Sequence, residues 1–220
     1  MSHPIKAVLF DFGGVFTDSP FHAVNDFGEE IGVGAERVTE IVFGSYENDG
    51  DHPWHQLERG EITLEATREM ILQRGREHNL EIDIFTLFMK MAESNAGAGN
   101  RTPLVDRVRR LKSDGYPTGL VTNNVAEFGD GWRGLIPVDE LFDFVVDSSS
   151  VGVRKPDPKI FEIAISHLDG IEPSQTLFLD DYQANVDAAR DFGMQSMLVT
   201  TDLEAAIQEL DAFLKVDQAL

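Results

Sequence analysis

Short apolar runs that end abruptly on acidic or hydroxyl residues set the pattern of this chain. Ala7-Val8-Leu9-Phe10 is continuously apolar and stops at Asp11. A run of that length without polar alternation predicts a strand buried on both faces. Gly13-Gly14 predict a turn after it. Four further strands are predicted over residues 118–121, ending at Thr122; 142–146; 176–179, ending at Asp180-Asp181; and 196–199. Helical spacing separates them. Leu104, Val105, Val108 and Leu111 follow a helix start at Thr102-Pro103 and precede Gly115. Helices are also predicted over 159–167, 183–192 with a stop at Gly193, and 203–214. Strands alternating with helices predict an α/β fold, a parallel sheet with helices on both faces. Residues 19–100 break the alternation. They hold helical stretches, 36–43 and 63–74 among them, without a convincing strand run, and end in the glycine-rich connector 95–100. The organisation predicted is an α/β core of 1–18 and 101–220 interrupted by a helical insert, 19–100.

Composition narrows the chemistry. The chain has 220 residues, 42% of them hydrophobic, enough for one α/β domain with an insert. With no cysteine, disulfides, thiolate zinc sites and a cysteine nucleophile are excluded. That usage fits a cytoplasmic location, and residues 1–6 lack a signal-peptide pattern. No apolar run reaches bilayer-spanning length, so no membrane partner is expected. The net charge of −21 repels nucleic-acid phosphate and makes a nucleic-acid partner unexpected. Solubility alone accounts for such a surface. An anionic substrate, however, then needs a local positive centre, which a metal ion supplies.

In such sheets ligands sit beyond the carboxyl ends of the strands. Asp11, Thr122 and Asp180-Asp181 all fall there. A carboxylate directly after a buried strand is costly unless it has a partner or a task. Three at one rim repel each other, and a divalent cation with oxygen ligands, magnesium by type, removes the conflict. Singly, each is equally well read as the cap of a following helix or turn. Thr122-Asn123-Asn124 offers a hydroxyl, amides and helix-start N–H groups to a phosphate, or simply an N-cap. Lys155, in the turn Lys155-Pro156-Asp157-Pro158, is suited to neutralising a nucleophile and a transferring phosphate, or is a solvated lysine.

Taken together, these residues resemble the haloacid dehalogenase-like hydrolase superfamily, in the branch whose helical cap follows the first strand. The segments that carry the resemblance are Val8-Leu9-Phe10-Asp11-Phe12-Gly13-Gly14-Val15-Phe16-Thr17, Leu120-Val121-Thr122-Asn123-Asn124, residues 152–161 around Lys155, and Phe178-Leu179-Asp180-Asp181-Tyr182-Gln183-Ala184-Asn185. They stand in family order and span nearly the whole chain. The last two are most similar to the phosphatase domain at the front of soluble epoxide hydrolases and to bacterial sugar-phosphate phosphatases. The resemblance implies a Rossmann-like core and a magnesium-dependent hydrolase of a small phosphorylated metabolite. It implies that Asp11 is the nucleophile and forms an aspartyl-phosphate. It implies Mg2+ on Asp11, the Gly13 carbonyl, and Asp180 or Asp181. Thr122, with Asn123, would bind phosphate, Lys155 would align Asp11 and phosphate, and Asn185 would orient the acidic pair. Monomer and homodimer both suit such a chain.

One position departs from the family pattern. Gly13 stands where the resemblance implies an aspartate acting as general acid and base, a function typically worth about 10²–10⁴-fold. Asp18 and His22, just downstream, are the nearby groups able to transfer a proton. The departure keeps open a catalytically weak scaffold that binds a phosphorylated ligand or a protein. A 2-haloacid dehalogenase on the same fold is the other alternative, disfavoured by the acidic pair Asp180-Asp181; a signal receiver domain carries its pair early instead. Within the insert, His52-Pro53-Trp54-His55 lacks a third metal ligand and reads as a surface cluster. Trp54 and Trp132 read as packing residues, Leu57 and Ile62 as insert core, and 47–51 as a solvated loop.

Overall fold

A computed structural model describes residues 4–45, 47–96 and 101–215. β1 (Ala7–Phe10) is followed by five helices: α1 (Pro20–Glu30), α2 (Ala35–Val42), α3 (Pro53–Glu58), α4 (Leu64–Glu77) and α5 (Ile84–Ala96). Alternation then sets in with α6 (Thr102–Ser113), β2 (Thr118–Thr122), α7 (Val138–Leu141), β3 (Phe144–Asp147), α8 (Ser148–Val151) and α9 (Pro158–Ser166). The chain closes with β4 (Thr176–Asp180), α10 (Gln183–Asp191), β5 (Gln195–Leu198) and α11 (Leu203–Lys215). The five strands form one parallel sheet in the order β3-β2-β1-β4-β5. This is an α/β, Rossmann-like fold with β1 at its centre. No helix among the described residues is long and apolar enough to cross a membrane.

The continuous apolar strands are explained by what lies on each face. Val8, Phe10, Leu120, Leu177 and Leu179 pack with α6, α7 and α11, through Leu104, Val108, Leu141 and Leu210. Ala7, Leu9, Val121 and Phe178 point the other way, against Ile160, Phe161 and Ala164 of α9 and Ala189 of α10. Side chains alternate between faces with period two, and both faces are dry, so no polar position survives in β1. The third strand begins later than the apolar pattern predicts. Phe142 is buried, but its N–H donates to the Val138 carbonyl as α7 ends, and pairing with β2 starts only at Phe144. An apolar residue packed in a turn carries the same sequence signal as one in a ladder.

Helices α1 to α5 share a core of their own. Phe27, Ile41, Val42, Leu57, Ile71 and Leu87 are its centre, with Ile62 packed against it. Val125, from the segment after β2, joins that core. A second link is ionic. Arg154, fully buried beside Lys155, donates through Nε to Glu58 Oε2 of α3 at 2.7 Å. Arg154 Nη1 also lies 3.5 Å from Asp49. The segment 47–51 is exposed yet tied down, since Arg59 also pairs with Asp49. The histidines are not a surface cluster. His55 is buried and His52 half-buried; His52 Nδ1 accepts from the Trp54 N–H, capping α3. Burial pushes both imidazoles down, His52 to about 4.

Removing one member of a buried ion pair strands the other. Glu58→Ala is expected to lower unfolding free energy by about 3 kcal/mol, the low end for such a loss because Asp49 still faces Arg154. Glu58→Gln, which keeps an acceptor, is expected to lose less. Urea denaturation of the three proteins checks the order; a loss below about 0.5 kcal/mol for Glu58→Ala, as at an ordinary surface site, contradicts it.

Candidate active site

The carboxyl ends of β1, β2 and β4 bring the candidate residues together. Asp11 follows β1 and is held to β4 by its N–H, which donates to the Leu179 carbonyl at 2.8 Å. Asp180 ends β4 and is fully buried. Asp181 follows it. Carboxylate oxygens of Asp11, Asp180 and Asp181 lie within 4.8 Å of one another. Lys155 reaches the same point from the turn before α9. Its Nζ is 2.7 Å from Asp11 Oδ1 and 2.7 Å from Asp180 Oδ2.

Each member is positioned by a neighbour. Asn123, just beyond β2, clamps the main chain of Lys155: the Lys155 N–H donates to Asn123 Oδ1 at 2.8 Å, and Asn123 Nδ2 donates to the Lys155 carbonyl at 3.1 Å. Asn185, in the first turn of α10, donates through Nδ2 to both oxygens of Asp180, at 3.1 Å each. The Tyr182 N–H donates to Asp180 Oδ1 at 2.8 Å. Thr122 is buried at the end of β2, with Asn124 Nδ2 donating to Asp147 Oδ2 at 2.6 Å beside it. Gly14 has φ +71°, and a Cβ there would lie 1.9 Å from Asp181 Oδ2. A side chain at position 14 would therefore expel Asp181, so glycine serves both turn and site.

The electrostatics follow from crowding anions in a dry place. Burial, reinforced by Asp180 and Asp181, pushes the Asp11 carboxyl up to about 8 despite Lys155. Burial and Asp180 push Asp181 up to about 6. For Lys155, burial disfavours the ammonium, but Asp11 and Asp180 outweigh it and the pKa is raised. One ammonium thus faces three carboxylates. A hard, all-oxygen donor set with uncompensated charge fits a divalent cation of the magnesium type, and the side-chain-free Gly14 leaves Asp181 room to approach it.

A cavity of about 560 Å³ opens from this cluster toward α3 and α5. Asp11, Gly13, Thr122, Asn123, Lys155, Asp181 and Asn185 line one end. Trp54, buried in the core of α1 to α5, and Trp132, packed against the sheet core, are packing residues that also line the cavity. Asp18 also lines the cavity and pairs with Arg101 at 3.6 Å. The side chain of His22 lies outside the described residues, as do residues 97–100 of the connector. Glu58, Phe43, Phe88 and Phe128 line the cavity too and were not legible as site residues. Their only sequence signal was aromatic or acidic character at helical positions, shared with ordinary core.

A family model for haloacid dehalogenase-like hydrolases matches residues 5–193. The chain belongs to the haloacid dehalogenase-like hydrolase family. It is a hydrolase on that membership. It is 28% identical over 182 residues to the mouse (Mus musculus) bifunctional epoxide hydrolase 2, covering 78% of this chain and 32% of that one. It is 27% identical over 210 residues to the sesquiterpene phosphatase astK of Aspergillus oryzae, covering 94% and 96%. The chain spans roughly a fifth to two fifths of the length of the longer curated relatives it matches. Among solved structures, a haloacid dehalogenase family enzyme of Bacteroides thetaiotaomicron, in complex with magnesium and inorganic phosphate, superposes with TM-score 0.60 at 20% identity, covering 90% of this chain and 96% of that one. At that identity the likeness speaks to the fold.

The raised carboxyls give a linkage with a definite sign. Between about pH 4 and 8 the folded chain keeps a proton on Asp11 that the unfolded chain has released. Folded protein binds more protons there, so in chelator the stability contribution of this group falls as pH rises through that window. A divalent cation competes with those protons and stabilises most at the upper end. Mg2+ at about a hundredfold excess over its Kd is expected to raise Tm by roughly 5–10 °C near pH 8. The rise is expected to be smaller near pH 5 and smaller in Asp181→Asn. Thermal scans with Mg2+ or chelator at the two pH values check it; an equal shift at both contradicts it.

Proposed function

We propose that this hydrolase is a magnesium-dependent phosphatase acting on a small phosphorylated metabolite through an aspartyl-phosphate on Asp11. The observation that carries the reading is the convergence of Asp11, Asp180 and Asp181 around the Lys155 ammonium at one end of a cavity. The fold alone does not choose between phosphate and halide chemistry. Three gathered carboxylates favour a cation and a phosphate, and the named phosphatase among the relatives points the same way.

In this reading an oxygen of Asp11 attacks phosphorus, the ester P–O bond breaks, and the departing alkoxide takes a proton. Water then attacks the same phosphorus, the P–O bond to Asp11 breaks, and phosphate leaves. Lys155 favours the Asp11 anion, which a bound cation would complete by displacing the carboxyl proton, and it faces the phosphoryl oxygens. Thr122 donates its hydroxyl to one of those oxygens. Asn123 acts chiefly by fixing the Lys155 backbone, and Asn185 by fixing Asp180. The ion would be held by Asp11, the Gly13 carbonyl, and Asp180 or Asp181; when bound, Mg2+ neutralises charge between carboxylate and phosphate. Residues 19–100 serve as a cap on the core of 1–18 and 101–220 and select the organic part of the substrate. Gly13 supplies no proton, so the leaving oxygen draws it from solvent. Gly13 is also the observation that favours a non-catalytic phosphate-binding scaffold, and turnover separates the two.

Phosphate release from a panel of monoesters, with Mg2+ or chelator, tests the proposal. Asp11→Asn is expected to lose activity by about 10⁴-fold or more with its fold intact. Retained activity refutes the nucleophile. A Cβ at position 13 meets nothing within 4 Å, and the backbone there is not left-handed. Gly13→Asp is therefore expected to fold normally and to raise turnover on poor leaving groups by about 10²-fold or more. An unchanged rate would mean that the proton arrives from another side chain.

A further inference from the structure

The cavity has two chemically different ends. The charged end is the Asp11 cluster. Beyond it the wall is aromatic and thioether: Phe43, Trp54, Phe88, Met91, Phe128 and Trp132. These rings come from both sides of the cleft and brace one another. Phe43 meets Trp54 edge-on at 4.7 Å, and Phe88 of α5 meets Phe128 of the segment after β2 at 5.3 Å and 76°. Phe12, next to the nucleophile, meets Trp132 edge-on at 4.8 Å. The apolar wall thus runs from the nucleophile to the mouth, where Phe128 is 41% and Leu135 57% exposed. These two side chains add apolar area at the mouth that a ligand can take out of water.

Four polar residues along the same wall, Glu58, Asp18, Asn124 and Thr17, already have partners in the protein. Glu58 accepts from Arg154, Asp18 faces Arg101, and Asn124 donates to Asp147. The Thr17 hydroxyl donates to the Asp18 carbonyl and accepts from the Gly14 N–H. A sugar would bring several hydroxyls into this space, and each would have to exchange water for a group already engaged. A hydrocarbon gains from the same surroundings by leaving water. The volume, about 560 Å³, lies in the ~300–1,000 Å³ range of sites that enclose a whole small molecule.

We propose that the substrate is a phosphate monoester whose organic part is predominantly hydrocarbon, with the phosphate at the Asp11 cluster and the hydrocarbon among Phe43, Trp54, Phe88 and Phe128. The inference rests on the phosphatase reading of Asp11 and adds the substrate class to it.

The probes are para-alkylphenyl phosphates from methyl to hexyl, in which the acidity of the leaving phenol barely changes, beside glucose 1-phosphate and glucose 6-phosphate. All are assayed with Mg2+ below any micelle concentration, with Asp11→Asn as the control for specific hydrolysis. The expected result is a kcat/KM that climbs up to about fourfold per added methylene over the first several carbons, with both glucose phosphates at least 100-fold below the hexyl compound. Phe128→Asp and Leu135→Asp change exposed positions and are expected to fold. Either is expected to cut the hexyl-to-methyl ratio of kcat/KM at least tenfold. A flat series, or glucose phosphates as good as the hexyl compound, with hydrolysis still dependent on Asp11, overturns the substrate class and leaves the phosphatase standing. Absence of Asp11-dependent hydrolysis across the whole panel overturns both.

Discussion

A single ammonium, Lys155, stands between two buried carboxylates while a third closes on them, and the architecture around it exists to hold that arrangement. Lys155 Nζ is equidistant, at 2.7 Å, from Asp11 and Asp180. Isolated charges in such a place would neutralise or move outward. Here they are pinned from behind: Asp11 through its N–H on β4, Asp180 by Asn185 and the Tyr182 N–H, and Lys155 by the carboxamide of Asn123 on its own main chain. These restraints come from two stretches of chain, 179–185 and the residue just after β2. The charge deficit left after Lys155 is counted is what suits the cluster to a divalent cation.

The parallel sheet explains why residues so far apart in sequence can share one point. β1 lies between β2 and β4, so the three strand ends bearing Asp11, Thr122 and Asp180 are adjacent in space. The helices from 20 to 96 then meet the rim through two unlike contacts. Val125 enters their apolar core, and the buried Arg154–Glu58 pair joins α3 to the residue next to Lys155. An apolar contact is tolerant of small shifts; a buried ion pair is directional. The pair therefore couples the position of α3 to the backbone that carries Lys155.

The sequence was informative where local rules apply. A continuous apolar run ended by a polar residue is a one-dimensional signal; it located β1, β2 and β4 and the rim positions of Asp11, Thr122 and Asp180-Asp181, while strand–helix alternation indicated the sheet type. What could not be read is what depends on contacts between distant residues. Arg154 is indistinguishable from a surface arginine until Glu58, 96 positions earlier, is seen to face it. Asn123 offered itself as a phosphate ligand; its pairing with the Lys155 main chain needs the turn before α9 folded back over β2. Phe43 and Phe88 carry the same signal as core residues and Phe128 lies in a short turn after β2, and only the arrangement of these segments leaves a space between them. His55 was misplaced for the same reason, since a histidine carries no burial signal of its own.

In the proposed reaction, position 13 links the catalytic and the binding halves of the site. The Cβ direction there opens onto free space, so glycine is not imposed by crowding, in contrast to Gly14, where Asp181 excludes any side chain. The cost of lacking a proton donor depends on the leaving group: it is large for an alkoxide and shrinks as the departing oxygen becomes more acidic. The gain from the aromatic wall depends on apolar area and is indifferent to that acidity. Since the wall contributes before and during reaction alike, it raises kcat/KM without replacing the missing proton transfer. The two terms act on different parts of one molecule, the bridging oxygen and the body behind it. An ester with a stabilised leaving oxygen on a hydrocarbon frame satisfies both, whereas a polar sugar with a simple alkoxide leaving group satisfies neither.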